Sequence, residues 1–226
     1  MNRLMLVLSL LATGVAEAKR LETPAEAEKL LRTPDAAATF AFIDQLDAMS
    51  DRISVQTFGT TPEGRAMKVV VVGEAKPGRE VVFVQAGIHA GEIEGKDAGL
   101  ILLSEVAAKD KRVLRWLDHV TLVFVPIFNL DGHERRSKFN RINQDGPAEM
   151  GWRATSQRLN LNRDYIKADA PEMRALLALI NQWNPDLLID SHTTNGADYQ
   201  YDLTWSMDDD ATQHPRLREW QNQVLV

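Results

Sequence analysis

The 226-residue sequence contains no cysteine, and its 26 Lys and Arg residues are outnumbered by 32 Asp and Glu residues. The absence of cysteine excludes a disulfide scaffold, so the 44% of hydrophobic residues must supply the stabilising core. A net charge of −6 leaves no broad cationic face for a phosphate backbone, which argues against a nucleic-acid partner. The length predicts one globular domain.

An apolar stretch at the N-terminus has the pattern of a secretory signal. It runs for twelve residues from Leu4 to Val15, after the positive charge of Arg3 and before the small-x-small sequence Ala16-Glu17-Ala18. Twelve residues are too few to span a bilayer as a helix. We therefore expect residues 1–18 to be a signal peptide, and residues 19–226 to be periplasmic or secreted without membrane attachment. The competing interpretation is a buried N-terminal helix.

The remaining sequence alternates between strand and helix patterns, which predicts an α/β fold with a mixed, largely parallel sheet flanked by helices. Strands are predicted at 67–72, 80–85, 120–128 and 187–190, where β-branched and aromatic residues cluster. Helices are predicted from Thr23, from Thr33, over 95–108, from Asp169 to Pro185 and over 215–226, where caps or helically spaced apolar residues occur.

Two residues of metal-ligating type follow the strand predicted at 80–85. His89 and Glu92 lie three residues apart where the chain turns from this strand into a helix. A neutral imidazole and a carboxylate at this spacing can converge on one cation. The isolated pair is a weak signal, because a capping Glu92 beside a structural His89 explains it equally well.

A second strand end makes the metal interpretation stronger. His192 follows the predicted strand at 187–190, and open α/β sheets collect their ligands at the carboxyl ends of strands. Two histidines and one carboxylate are a ligand set of catalytic zinc, since they leave a fourth position for water. Bound to zinc, that water has a pKa of about 7 and is a nucleophile at neutral pH.

The pair Asn162-Arg163 is the third candidate feature. A planar guanidinium beside an amide donor is suited to binding a carboxylate at two points. The competing interpretation is an ordinary surface salt bridge from Arg163 to a nearby acid.

In this order and on this strand–helix background, His89-x-x-Glu92, Asn162-Arg163 and His192 resemble the zinc carboxypeptidase family of metallopeptidases. The resemblance implies a zinc-carboxypeptidase-like fold and one Zn²⁺ per chain, held by His89, Glu92 and His192. It also implies that Asn162 and Arg163 bind the free C-terminal carboxylate of a peptide.

The same resemblance implies an arginine that stabilises the oxyanion formed from the scissile carbonyl. We assign this role to Arg153 in Gly151-Trp152-Arg153, with Arg141 as the alternative, because irregular loops cannot be aligned by spacing. Asn160 lies where the family commonly has an acidic residue that orients the first histidine, so we expect its amide to contact His89.

The resemblance implies, in addition, a general-base glutamate on a later strand. The chain ends 34 residues after His192, and the only glutamate in this tail, Glu219, lies in a predicted helix. We therefore expect the sequence to be a C-terminally incomplete copy of the family's domain. The isolated chain is then expected to bind metal better than it hydrolyses substrate.

The predicted function is a zinc-dependent metallocarboxypeptidase that hydrolyses the C-terminal peptide bond by a metal-activated water. One alternative is a zinc-dependent amidohydrolase of N-acyl amino acids or cell-wall peptides. Another is a non-catalytic, metal-dependent peptide-binding protein. The first two predict a peptide or acyl-amino-acid substrate with a free carboxylate.

Overall fold

The computed structural model describes residues 20–74, 76, 78–207 and 213–224. The predicted signal peptide at 1–18 lies outside these residues and stays a prediction. In the described part of the chain, no helix is long and apolar enough to cross a bilayer.

In the described residues, five strands form one mixed sheet, namely β1 (Ile53–Thr60), β2 (Ala66–Val72), β3 (Glu80–Ala86), β4 (Val120–Val125) and β5 (Leu187–Ser191). Their order in the sheet is β1-β2-β4-β3-β5. β2 pairs antiparallel with β1 and with β4, whereas β3 lies parallel to β4 and to β5. The prediction of a mixed sheet flanked by helices is confirmed, with the parallel pairs on the half of the sheet that contains β3.

The helices are α1 (Pro24–Ala27), α2 (Ala36–Met49), α3 (Glu94–Ala107), α4 (Lys111–Leu117), α5 (Leu130–Glu134) and α6 (Pro171–Trp183), with a 3₁₀ helix at Leu161–Arg163. The chain divides into two units between Asn195 and Gly196, and the second unit contains α7 (Pro215–Val224). α2 begins later than predicted from Thr33, because the side chain of Asp35 caps it by accepting a hydrogen bond from the backbone N of Ala38 at 2.7 Å.

The sheet is covered on both faces, and alternate residues of β4 face opposite cores. Leu122 and Phe124 belong to a core with α2, α3 and α4, whereas Val123 and Val125 belong to a core with α6. Burial on both sides explains why β4 reads as a continuous apolar run. The strand stops before Pro126, three residues short of the prediction, because proline has no N–H for the ladder.

Among the described residues, sequence patterns missed β1, α4, α5 and the 3₁₀ helix Leu161–Arg163. β1 lies at the end of the sheet order and only its first residue, Ile53, is buried, so it lacks the continuous apolar run that marked the inner strands. α4 and α5 contain seven and five residues, too few for a helical period to be recognised.

The parallel pairing of β3 with β5 brings the two predicted ligand segments to one edge of the sheet. Ala86, the last residue of β3, lies opposite Ser191, the last residue of β5. His89 follows the first strand by three residues and His192 follows the second directly. The fold therefore places both histidines at the same end of adjacent strands.

Gly95 allows a close approach between α3 and the end of β5. A Cβ atom built on Gly95 would lie 2.5 Å from the Cβ of Ser191, well inside van der Waals contact. Only glycine in the first turn of α3 therefore fits against the residue that precedes His192.

We expect Gly95→Ala to lower the free energy of unfolding by about 1–3 kcal/mol, because the added methyl group overpacks this contact. Ser191→Gly removes the nearest atoms that the methyl group would meet and leaves the Ala86 Cβ at 3.2 Å, so the double variant should regain most of the loss. Urea unfolding of the four proteins should give a coupling energy of about 0.5–3 kcal/mol. A Gly95→Ala protein that is more stable than wild type, as helix propensity alone predicts, would contradict the close approach.

The N-terminus of α1 is held by a charged capping box. Thr23 and Glu26 exchange hydrogen bonds, with the Glu26 N donating to Thr23 Oγ1 at 3.2 Å and the Thr23 N donating to Glu26 Oε2 at 2.9 Å. Arg20 donates to both Glu26 carboxylate oxygens, at 2.6 and 2.8 Å. The hydrogen bonds from Arg20 are the main reason that the pKa of Glu26 is lowered to about 2.

Glu26→Gln keeps an acceptor for the Thr23 amide but removes the negative charge. Because the folded-state pKa of Glu26 is lowered, its stabilising contribution is present above the ordinary pKa of 4.5 and is lost as the pH falls towards 2. We expect the free energy of unfolding of wild type to exceed that of the variant by up to about 1 kcal/mol at neutral pH. This difference should shrink between pH 4.5 and 2. Urea unfolding at a series of pH values measures it, and a pH-independent difference would exclude the charge as its cause.

Candidate metal centre

The loop after β3 carries the first two candidate ligands. It begins at Gly87, whose φ of +68° turns the chain out of the strand. Its backbone is fixed by a hydrogen bond from the Asn129 N to the Gly87 carbonyl at 3.0 Å. The Glu92 N donates to the His89 carbonyl at 2.9 Å, so the two side chains project from one tight turn. Both residues are buried, at 4% and 3% exposure.

The third candidate ligand reaches the same place from β5. His192 Nδ1 lies 2.9 Å from Glu92 Oε2, and His89 Nδ1 lies 3.0 Å from Glu92 Oε1. The two imidazole centroids are 5.1 Å apart. One ligand atom from each of the three side chains lies within 4.8 Å of the others. The structure thus brings together the three residues that were predicted as metal ligands.

The donor set fits a zinc ion. Two imidazoles and one carboxylate are the protein ligands of a catalytic zinc site with an open position. His89 Nε2 is buried and has no hydrogen-bond partner in the described part of the chain, although buried polar atoms are normally paired. A buried imidazole that contacts a carboxylate through Nδ1 and keeps Nε2 unpaired is consistent with residues that hold a cation.

Glu92 is a buried carboxylate that keeps its charge. Burial raises the pKa of Glu92, but hydrogen bonds from His192, His89 and Arg141 outweigh it and hold the pKa well below the usual range. The backbone N of Thr193, the residue after His192, also donates to Glu92 Oε2 at 3.2 Å. An ionised carboxylate at this position is in the form that binds a metal.

Asp190 contacts the candidate centre and was not assigned to it by the sequence interpretation. Its Oδ2 lies 3.0 Å from His192 Nε2, on the opposite side of the ring from Glu92. The hydrogen bond with Asp190, followed by that with Glu92, raises the pKa of His192 to about 9. The signal was present in the sequence, because residues two apart on a strand share one face. A carboxylate that orients a ligating histidine is a common outer partner of metal sites.

Two arginines lie beside Glu92, and their exposure separates them. Arg141 is 5% exposed and its Nη2 donates to Glu92 Oε1 at 2.9 Å. Arg153 has 38% of its side chain exposed and its Nη1 lies 3.7 Å from the same oxygen. Burial lowers the pKa of Arg153, Glu92 opposes this, and the nearby charges of Arg141 and Arg163 lower it further. Arg153 is therefore the arginine with a solvent-facing surface at the site.

Asn162 and Arg163 lie in the 3₁₀ helix Leu161–Arg163. Arg163 is exposed and its Nη1 donates to the Asn162 carbonyl at 2.7 Å. Within the described ranges Arg163 forms no ion pair, so the alternative of a surface salt bridge finds no partner. The expected contact between Asn160 and His89 is wrong, because the Asn160 Oδ1 accepts a hydrogen bond from the Asn162 N at 3.1 Å. The side chain of Asn160 instead caps the 3₁₀ helix.

A cavity of about 420 Å³ adjoins the arginines. Its polar lining consists of Arg141, Arg153, Asn140, Asn143, Asn160 and Asn195. Amide and guanidinium groups offer many donors, and none of the described residues that line the cavity is acidic. Such a surface is suited to the carbonyl and carboxylate oxygens of a peptide.

Comparison with known proteins is consistent with this chemistry. A family model described as zinc carboxypeptidase matches residues 39–224. Carboxypeptidase 2 of Trichophyton rubrum is 25% identical over 111 residues, which are 49% of this chain and 18% of that protein. An inactive metallocarboxypeptidase of Saccharomyces cerevisiae is 24% identical over 135 residues, 56% of this chain and 29% of that protein.

The fold is similar to that of solved carboxypeptidases. A metallo-carboxypeptidase from Burkholderia cenocepacia superposes with a TM-score of 0.60 at 24% identity, over 73% of this chain and 42% of that one. This chain spans less than half the length of these curated and solved relatives. The matched residues 39–224 make up most of the chain and include His89, Glu92 and His192. The chain belongs to the zinc carboxypeptidase family.

Proposed function

We propose that this chain carries the metal centre of a zinc-dependent metallocarboxypeptidase that hydrolyses the C-terminal bond of peptides. The observation that carries the proposal is the convergence of His89, Glu92 and His192 from the ends of two adjacent parallel strands. When bound, zinc supplies a water whose pKa is lowered to about 7 and an electrophile for the scissile carbonyl. The three side chains hold this ion, and the charged form of Glu92 contributes the anionic ligand.

Asn162 and Arg163 are proposed to bind the terminal carboxylate of the peptide. Support comes from the exposed Arg163, which forms no ion pair within the described ranges, and from its position within electrostatic range of Arg153. A guanidinium can form two parallel hydrogen bonds with a carboxylate, which fixes the orientation of the last residue. This contact is the basis of exopeptidase specificity in the proposal.

Arg153 is proposed to stabilise the oxyanion that develops on the scissile carbonyl. Its side chain is 38% exposed and forms only a long ion pair with Glu92, at 3.7 Å, so its solvent-facing side can donate to a substrate oxygen. Arg141 is a poorer choice, since its hydrogen bond to Glu92 is buried. Donors aimed at developing negative charge commonly contribute 10²–10³ in rate, as an order of magnitude.

The general base is not assigned to the residues of this chain that the structure describes. Glu219 lies on α7, where its Oε1 accepts a hydrogen bond from Gln223 Nε2 at 3.2 Å. We propose that the proton-transferring glutamate belongs to a part of the enzyme outside this sequence. We also propose that residues 1–18 are a signal peptide that directs export of the protein to the periplasm or the medium.

The amide-lined cavity favours a second candidate, a zinc amidohydrolase acting on N-acyl amino acids or cell-wall peptides. Four asparagines near the metal centre can accept and donate hydrogen bonds along an amide-rich substrate. Both candidates use the same metal and the same carboxylate-binding pair, so substrate trials distinguish them. A non-catalytic peptide-binding protein is the outcome if metal and peptide bind without turnover.

The first test is the metal itself. We expect the purified protein to contain one zinc per chain and His192→Ala to lower zinc affinity by more than about 100-fold, beyond the usual cost of losing an outer partner. His119→Ala, which alters an exposed histidine away from the three ligands, serves as the matched control. Competition with a chromogenic chelator measures the zinc affinity of wild type, His192→Ala and His119→Ala. Equal zinc affinity in His192→Ala and wild type would remove the third ligand from the assignment.

The second test addresses the terminal carboxylate. A peptide with a free C-terminus should be hydrolysed by the full-length enzyme, and the same peptide with an amidated C-terminus should not. We expect Arg163→Gln to lower kcat/KM by about 10–200-fold, the cost of a hydrogen bond to a charged group. Equal cleavage of both peptides would refute the exopeptidase assignment, and faster cleavage of matched N-acyl amino acids would favour the amidohydrolase.

A further inference from the structure

One turn of the irregular segment contacts both ligand-bearing parts of the chain. The turn runs from Arg141 to Gln144 and is closed by a hydrogen bond from the Gln144 N to the Arg141 carbonyl at 2.9 Å. Arg141 at its start donates to Glu92, and Gln144 at its end contacts the segment after His192. The two ligands that it approaches are 100 residues apart in sequence.

The contact between Arg141 and Glu92 is built into the packing of the first ligand loop. A Cβ atom on Gly91 would lie 2.9 Å from Arg141 Cγ and 2.9 Å from the Gly151 carbonyl oxygen. Gly91, which lies between His89 and Glu92, therefore leaves the space through which the Arg141 side chain reaches the Glu92 carboxylate. Any larger side chain at position 91 would force Arg141 away.

The burial of Arg141 shows that this side chain is held in one place. Moving a guanidinium out of water is costly unless it is paired, and Glu92 Oε1 is the acceptor found for Arg141 Nη2 in the described residues. The other terminal nitrogen, Nη1, is buried without a hydrogen-bond partner there. The pairing with Glu92 therefore fixes the position of the guanidinium.

The end of the turn holds the residues that follow the third ligand. Gln144 Nε2 donates to Thr193 Oγ1 at 3.2 Å and also to the Thr194 carbonyl. Asn143 Nδ2 donates to the Asn195 carbonyl. Three successive residues after His192 are thus bound by two side chains of the turn, which restricts the segment that carries the ligand.

We propose that the Arg141–Gln144 turn is a positioning element of the metal centre, with Arg141 orienting Glu92 and Gln144 fixing the segment after His192. The inference rests on the proposed function, because it takes His89, Glu92 and His192 as the zinc ligands. Arg141 touches a ligand rather than the substrate, so its role is separate from that of Arg153. Outer partners of this kind typically contribute 10–100-fold to metal affinity.

The test is zinc affinity, measured by chelator competition on the whole protein. Arg141→Met removes the donor and keeps a long side chain, and Gln144→Leu removes the contacts to Thr193 and Thr194. We expect Arg141→Met to weaken zinc binding by about 10–100-fold and Gln144→Leu by about tenfold. Ile142→Ala, at an 83% exposed position of the same turn, is the matched control and should bind zinc like wild type.

Two further measurements separate positioning from general stability. The midpoint of thermal unfolding of the metal-free variants should stay close to that of metal-free wild type, while zinc affinity falls. With Co²⁺ in place of zinc, Arg141→Met should show a visible spectrum that differs from that of wild type. Arg141→Lys restores the charge but carries all its donors on one nitrogen instead of a planar fork, so it should recover part of the affinity. It also replaces Arg141→Met as the probe if the latter fails to fold.

The outcomes distinguish this inference from the proposed function. Tight zinc binding by wild type together with unchanged or tighter binding by Arg141→Met and Gln144→Leu would overturn the positioning role alone. An absence of zinc binding by wild type would overturn both. Zinc affinity that falls only in proportion to a loss of thermal stability would reduce the turn to a structural element and also refute the proposal.

Discussion

The parallel pairing of β3 with β5 is the constraint on which the candidate metal centre depends. Because Ala86 lies opposite Ser191, the segments that follow the two strands leave the sheet at the same end of the strands. Antiparallel pairing would have sent these segments to opposite ends of the strands. The glycine of α3 that contacts the end of β5 adds a second connection between the two segments. The three ligands thus meet through sheet topology, and local sequence brings only His89 and Glu92 together.

The same convergence concentrates charge in a buried place. Glu92 contacts two imidazoles and a guanidinium at the edge of the core, and these contacts offset the cost of burying its carboxylate. A divalent cation held by His89, Glu92 and His192 would supply further positive charge to this cluster. A positive ion beside the Glu92 carboxylate would therefore be stabilised, and the three surrounding side chains are of the types that zinc prefers.

The predictable parts of the molecule were those with a strong local signal. The inner strands are marked by apolar runs, and the ligands by their residue types just past strand ends, so the fold class and the His89, Glu92 and His192 cluster could be predicted. Asp190 could have been found from its two-residue spacing to His192. Asn160 was placed wrongly, because a short-range hydrogen bond to a neighbouring backbone N–H outweighs a distant partner inferred from resemblance.

The bridging turn was beyond prediction for a different reason. Arg141 and Gln144 lie in a segment without periodicity, and their partners are 49 and about 50 residues away, so no local rule connects them. Sequence reasoning identified Arg141 only as the alternative to Arg153 for the oxyanion-stabilising arginine. Its contact with Glu92 depends on the space above Gly91, which is a property of the folded loop.

The location of β5 at the end of the sheet order links metal retention to strand fraying. β5 pairs with β3 on one side, and its Leu188 and Ile189 are 40% and 43% exposed. Edge strands open locally more easily than inner ones and are ready to pair with another segment. Because His192 continues directly from this strand, opening of β5 would displace one of the three proposed zinc ligands. A segment that added to the outer side of β5 would, in the proposed centre, therefore slow the dissociation of zinc without touching the ion.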